Sequence, residues 1–191
     1  MLVSVTGLLD DFSLIDRVLE GNSHAYGLLV QRYQSYAYTL ALRVVKDPMA
    51  AEEVAQDAFV RVFQALKTFQ KDSKFSTWLY RIVLNQALAY MRKKRPEYTS
   101  DFPLDRPETQ EANQELLREE RKMHLDRAIA GLSTDDRTVL TLFYFKELSL
   151  EEMSEVMGQP ANTIKVKVHR ARTRLARALE TTMKEEVHSL L

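Results

Sequence analysis

With 191 residues, 27 basic and 27 acidic side chains and no cysteine, the chain has room for one or two small domains and offers no disulfide framework, thiol nucleophile or thiolate metal site. The balanced charge is unevenly spread: residues 1–95 carry 13 basic and 9 acidic groups, 96–135 carry 5 and 10, and 136–191 carry 9 and 8. No run reaches the apolar length of a membrane span and MLVSVTGLLDDF lacks a signal peptide's basic region, so a cytoplasmic protein without membrane insertion of its own is expected; 5 Gly, 5 Pro and long 3.6-residue periodicity make it all-α.

Phe12 to Glu20 reads as a short opening helix ended by Gly21-Asn22, with Ser23 expected to cap the next. From Tyr26 the apolar positions Leu29, Val30, Tyr33, Ala37, Leu40 and Val44 follow steps of three and four until Asp47-Pro48; Tyr26, Tyr33, Tyr36 and Tyr38 read as packing groups. A third helix, MAAEEVAQDAFVRVFQALKTF, is expected to bury Val54, Ala58, Val62, Ala65, Leu66 and Phe69 and to gather Glu52, Glu53, Gln56 and Asp57 near its start. Those acids either complement the helix dipole or form a docking surface for a basic partner.

A polar loop, Gln70 to Lys74, leads into FSTWLYRIVLNQALAYMRKKR, a helix ended by Pro96. Between Ser73 and Pro96 stand six basic residues, Lys74, Arg81, Arg92, Lys93, Lys94 and Arg95, and no acid, with Trp78, Tyr80 and Tyr90 interleaved. Such a mixture suits single-stranded nucleic acid, because bases stack on rings while the strand's phosphates are neutralised. Asn85 and Gln86 are spaced to hydrogen-bond an exposed base edge, whereas Trp78, Leu79, Ile82 and Val83 also read as plain core. Residues 97–113, EYTSDFPLDRPETQEAN, combine acids and prolines without periodicity and read as a flexible linker. A charged helix to Gly131 follows, with Leu116, Leu117, Met123, Leu125 and Ile129 as its apolar positions; Ser133 or Thr134 then caps a helix running through Val139, Leu140, Leu142, Phe143 and Phe145.

The stretch from Ser149 to Leu179 reads as a helix-turn-helix. Ser149 and Glu152 form a capping box, Leu150, Met153, Val156 and Met157 recur at helical spacing, and Gly158 with Pro160 ends that helix. A second helix starts at about Asn162, with Ile164, Val168, Ala171, Leu175 and Leu179 on one narrow arc. Six Lys or Arg and no acid lie between Ala161 and Leu179. A solvated basic helix closing a bundle would show the same charge run, but the capped helix and turn before it favour DNA. In that docking Asn162, Lys165, Val166, His169 and Arg170 reach base edges, while the later arginines, Arg172 and Arg174 among them, meet the backbone, and Lys167 stands on the same basic helix. The four histidines, His24, His124, His169 and His188, lack ligand spacing, and no Gly-rich phosphate loop or nucleophile-base set can be built, so no catalytic residue, metal or cofactor is expected.

Three stretches, AAEEVAQDAFVRVFQAL, FSTWLYRIVLNQALAYMRKKRP and LSTDDRTVLTLFYFKELSLEEMSEVMGQPANTIKVKVHRARTRL, resemble in order and spacing the bacterial extracytoplasmic-function (group 4) RNA polymerase sigma factors of the sigma-70 family. The resemblance implies two small helical domains, 1–96 of region 2 type and 114–191 of region 4 type, joined by the 97–113 linker, the second ending in the helix-turn-helix. It implies that Glu53, Val54, Gln56, Asp57 and Phe59 dock on core RNA polymerase, through its β′ and β subunits. It implies that the loop Phe69 to Thr77 and the helix beyond it read the minus-10 element as a single strand, through Lys74, Ser76, Thr77, Tyr80, Arg81, Asn85, Gln86 and Arg92. The helix after Asn162 would read the minus-35 duplex, and an anti-sigma factor would hold the protein inactive. His169 and Val166 depart from residue types often aromatic or small and polar in relatives, so promoter preference does not carry over. The alternative is a helix-turn-helix activator whose N-terminal half senses a ligand.

Overall fold

The computed structural model describes residues 9–93 and 114–189, with side chains over 9–93 and 123–182. The expected linker over 97–113 falls outside the described residues. The chain divides into two compact helical units, one drawn from residues 1–100 and 152–158, the other from 101–151 and 159–191, and no strand occurs among the described residues.

The first unit opens with α1 (Asp11–Leu19), capped by Asp10, whose carboxylate accepts from Ser13 N at 2.9 Å. Asp11 ties α1 to the next helix by accepting from Arg32 Nη1 and from the Tyr33 hydroxyl, each at 2.5 Å. The cap of α2 (Ser23–Val45) is Asn22 rather than Ser23: the Asn22 side chain accepts from Ala25 N at 3.2 Å, and Ser23 becomes the first helical residue. Lys46, at φ 61°, ends α2. Asp47 and Pro48 do more than stop a helix, because Asp47 accepts from Ala50 N at 3.1 Å and Pro48 fills the first position of α3 (Pro48–Ala65), where its missing N–H costs nothing. A 3-10 turn, Leu66–Thr68, and a short loop lead to α4 (Phe75–Lys93). α2, α3 and α4 pack on one another and α1 lies against α2, burying Leu14, Ile15, Leu29, Leu40, Val44, Val62, Leu66, Phe75 and Leu79 almost completely. Each such side chain contributes about 1.5–3 kcal/mol on leaving water.

In the second unit, α5 (Gln114–Gly131) and α6 (Thr134–Leu140) both pack on α8 (Ala161–Ser189), around Leu132, Leu140 and Ala171 with Leu175 against them. Met123 of α5, expected to be apolar core, is 39 % exposed, whereas Ile129 is buried. Ser133 caps α6 reciprocally: its hydroxyl accepts from Asp136 N at 3.2 Å and donates to the Asp136 carboxylate at 2.8 Å. Arg137, also buried, donates to the Leu132 carbonyl and to Thr134 Oγ1, locking the corner between α5 and α6. Beyond α6 the helix widens into a π turn, Thr141–Phe145, which shifts the phase of its side chains: Leu142 is buried while Tyr144 and Phe145 are about half exposed. The short helix α7 (Leu150–Met157), whose residues from 152 onward count with the first unit, buries Met153 and Val156, and ends at Gly158, whose φ of 64° suits a residue without Cβ. No helix among the described residues is long and apolar enough to cross a membrane.

Candidate functional site

The three-residue turn 158–160 separates α7 from α8, as the Gly158 and Pro160 positions require. On α8, Ile164, Val168 and Ala171 are buried, and Asn162, Lys165, Val166, His169, Arg170 and Arg172 are exposed. From Asn162 to Arg170 the helix advances about 12 Å, the scale of a major groove. Lys167 is half-buried, and Arg174, exposed one turn beyond Arg170, is tied to the fold. Lys167 Nζ donates to Asp135 at 3.0 Å and Arg174 Nη1 to both Asp136 oxygens at 2.7 and 2.9 Å, so these two cations are paired with acids of α6. The acids were legible only as part of Ser133-Thr134-Asp135-Asp136, a helix start, and nothing local announces their distant partners.

The α4 set also splits. Lys74, Arg81, Asn85 and Arg92 are exposed, Ser76 and Gln86 are half-buried, and Thr77 and Tyr80 are core, at 1 % and 5 % exposure. Thr77 and Tyr80 therefore cannot present their side chains to a strand. Burial, with smaller contributions from Tyr36 and Asp11, pushes the Tyr80 phenol up to about 12, which keeps it neutral inside the bundle. Arg81, Asn85 and Arg92, spaced by four and seven, make one line about 16 Å long on α4. The loop ahead of α4 rests on aromatic rings that sequence reading treated singly: Phe69 lies 5.0 Å from Trp78 and 6.0 Å from Phe75, with Tyr33 5.5 Å from Phe75. α1 completes this seat, with Phe12 6.3 Å from Phe69 and Asp16 accepting from Lys71 Nζ at 2.5 Å. Lys71 itself turns the loop at φ 62°.

On α3, Glu52, Glu53, Gln56 and Asp57 are exposed, but Val54 and Phe59 are buried at 3 % and 8 % exposure, and the Phe59 carbonyl accepts from the Tyr26 hydroxyl. Val54 and Phe59 thus shape α3 from inside and are unavailable to a partner. Their place on the open face is taken by Val60 and Phe63, 56 % and 52 % exposed, which continue the 53-56-57 line by one and two turns. Beside them Asp47, Met49, Glu52, Glu53, Gln56 and Tyr90 line a shallow depression. Apolar groups ringed by polar ones are the make-up of a protein-binding surface. Among the described residues no group of three His, Asp or Glu converges as a metal site.

Residues 29–97 match the family description Sigma-70 region 2 and residues 122–175 match Sigma-70, region 4. The chain is 36 % identical to the RNA polymerase sigma-H factor of Pseudomonas aeruginosa, over 92 % of this chain and 96 % of that one. It is 34 % identical to the ECF RNA polymerase sigma factor SigW of Bacillus subtilis, over 86 % and 94 %, and 35 % identical to the ECF RNA polymerase sigma-E factor of Escherichia coli, over 86 % and 91 %. Its fold is similar to CnrH, solved in complex with the cytosolic domain of CnrY, with a TM-score of 0.64 at 26 % identity over 88 % of this chain and 96 % of that one. The sigma factor RpoE of Bartonella quintana shares the fold alone, with a TM-score of 0.65 at 21 % identity over 81 % and 96 %. Because one match covers most of the N-terminal half, that half is a sigma region and not a ligand-sensing domain. The chain belongs to the sigma-70 family, as an extracytoplasmic-function RNA polymerase sigma factor.

Proposed function

We propose that this sigma factor, of the group 4 type, binds core RNA polymerase through α3 and reads promoters in two steps, minus-35 duplex with α8 and a minus-10 single strand with α4 and its preceding loop. The observation that carries the reading is the separation of faces on α8: the apolar stripe is buried, and Asn162, Lys165, Val166, His169 and Arg170 stand open together. A helix with that face meets phosphate and base edges at once. The exposed line Arg81, Asn85 and Arg92 supports strand reading, since two cations flank an amide able to hold an unstacked base by its edge. Regulation by a protein that captures the sigma factor in the cytoplasm is supported by CnrH, which was solved with the cytosolic domain of CnrY. Tagged chain expressed in its source cell should copurify stoichiometrically with core polymerase, and the reconstituted holoenzyme should start transcription at a defined set of genomic sites. A chain that bound those sites without retaining polymerase would refute the reading.

A further inference from the structure

The first turn of α6 carries Asp135 and Asp136, and each meets a cation of α8. Arg174 Nη1 donates to both oxygens of Asp136, at 2.7 and 2.9 Å, and Lys167 Nζ lies 3.0 and 2.9 Å from the two oxygens of Asp135. The two pairs are not equal. Asp136 is 5 % exposed and accepts a third hydrogen bond from Ser133 Oγ at 2.8 Å, so its charge is cut off from water and depends on these donors. Asp135, with its side chain 54 % exposed, keeps most of its hydration, and a pair of that kind is weak. Asp136 is also held in place. The buried Arg137 beside it donates to the Leu132 carbonyl and to Thr134 Oγ1, so the turn bearing both acids is fixed at its root.

Lys167 and Arg174 are seven residues apart, two helical turns, and fall on the side of α8 next to the buried Ala171, turned from Lys165 and His169, with Arg170 one turn before Arg174 at the border of the two sides. The Arg174 side chain is 55 % exposed, but its Nη1 is held by Asp136, and drawing the guanidinium away towards a phosphate would leave a buried carboxylate short of a donor. We propose that the Asp136–Arg174 pair, assisted by Asp135–Lys167, is a clamp that sets the roll of α8 on α6, making Arg174 a positioning residue that aims Lys165, His169 and Arg170 rather than a DNA contact. This rests on α8 being the duplex-reading helix.

Salt dependence separates the two roles, because each phosphate neutralised adds about 0.9 to the slope of log affinity against log salt, whereas a clamp adds nothing. The full-length chain is titrated with a short labelled duplex selected from a random pool by the wild type. Arg174→Ala should bind about tenfold more weakly with an unchanged slope; Asp136→Asn should match it, and the double variant should lose no more than either, as coupled groups do. Arg174→Lys should restore part of the loss. Arg170→Ala serves as the comparison and should lower the slope by about 0.9. A fall of that size in Arg174→Ala, or wild-type affinity in Asp136→Asn, would overturn the clamp. Hydrogen exchange on the free chain judges the clamp without DNA: the amides around Ile164 to Ala171 should exchange faster in both variants while those of α4 stay unchanged, and no acceleration overturns it. If Arg170→Ala changed neither affinity nor slope, the duplex reading of α8 would fall, with the exchange result still deciding the clamp.

Discussion

Phe75 is 1 % exposed, and its ring centre lies 5.5 Å from that of Tyr33 and 6.0 Å from those of Phe69 and Trp78. Phe75→Leu keeps an apolar side chain at the start of α4 but removes three ring contacts, each worth about 0.5–1.5 kcal/mol and not fully additive. Adding the small void that a leucine leaves, the expected loss is about 2–3 kcal/mol. With a urea slope of about 1.5 kcal/mol per molar, the midpoint should fall by about 1.3–2 M. The chain has one tryptophan, and it sits in this cluster, so Trp78 fluorescence reports on the unit that the substitution perturbs. Phe12→Leu is the comparison, because Phe12 is 39 % exposed and touches only the rim of the cluster, 6.3 Å from Phe69; it should cost less than about 1 kcal/mol. Below the melt, Phe75→Leu should also weaken binding to a pre-melted promoter, since the loop 70–74 rests on these rings. Equal costs for the two substitutions, or a loss under about 0.5 kcal/mol at Phe75, would refute the account of the aromatic seat.

Asn85→Ala should leave closed-complex affinity close to wild type and reduce promoter opening, read by permanganate reactivity of unpaired thymines; wild-type opening would remove Asn85 from strand reading. Glu53→Lys with Asp57→Lys should weaken retention of core polymerase by tenfold or more without moving the thermal melt, as both side chains are exposed. Unchanged retention would sink α3 as the docking helix. Burial lowers the Lys146 ammonium from 10.5 to about 8, so between those values the unfolded chain holds more protons and stability rises with pH. Below about pH 8 the folded chain carries the whole penalty, about 1 kcal/mol after discounting for a half-exposed group. Lys146→Met should therefore exceed wild type in stability at pH 7 and lose that lead towards pH 10.5, and a lead independent of pH in urea melts would refute it.

Much of this protein is local, and local chemistry can be read along the chain. Asp47-Pro48 marks a boundary because proline lacks an N–H and aspartate caps; Gly158 with Pro160 marks the turn before α8; and the 164-168-171-175 spacing marks the buried side of α8 whatever packs against it. The sigma-factor resemblance was legible for the same reason, since it rests on the order of such segments. What sequence could not decide was which member of a motif faces out. Val54, Phe59, Thr77 and Tyr80 stand in the same short motifs as exposed polar residues, yet they point inward, because a helix face is assigned by the neighbours that cover it, and those come from the mutual packing of α2, α3 and α4. Charge was the harder case: six cations on α8 look alike in sequence, and only the arrival of Asp135 and Asp136, 32 and 38 residues away, singles out Lys167 and Arg174 as paired with α6. A carboxylate buried by tertiary packing must find its counterion inside, so the fold, and not the charge pattern, determines which cations of α8 are tied to an acid.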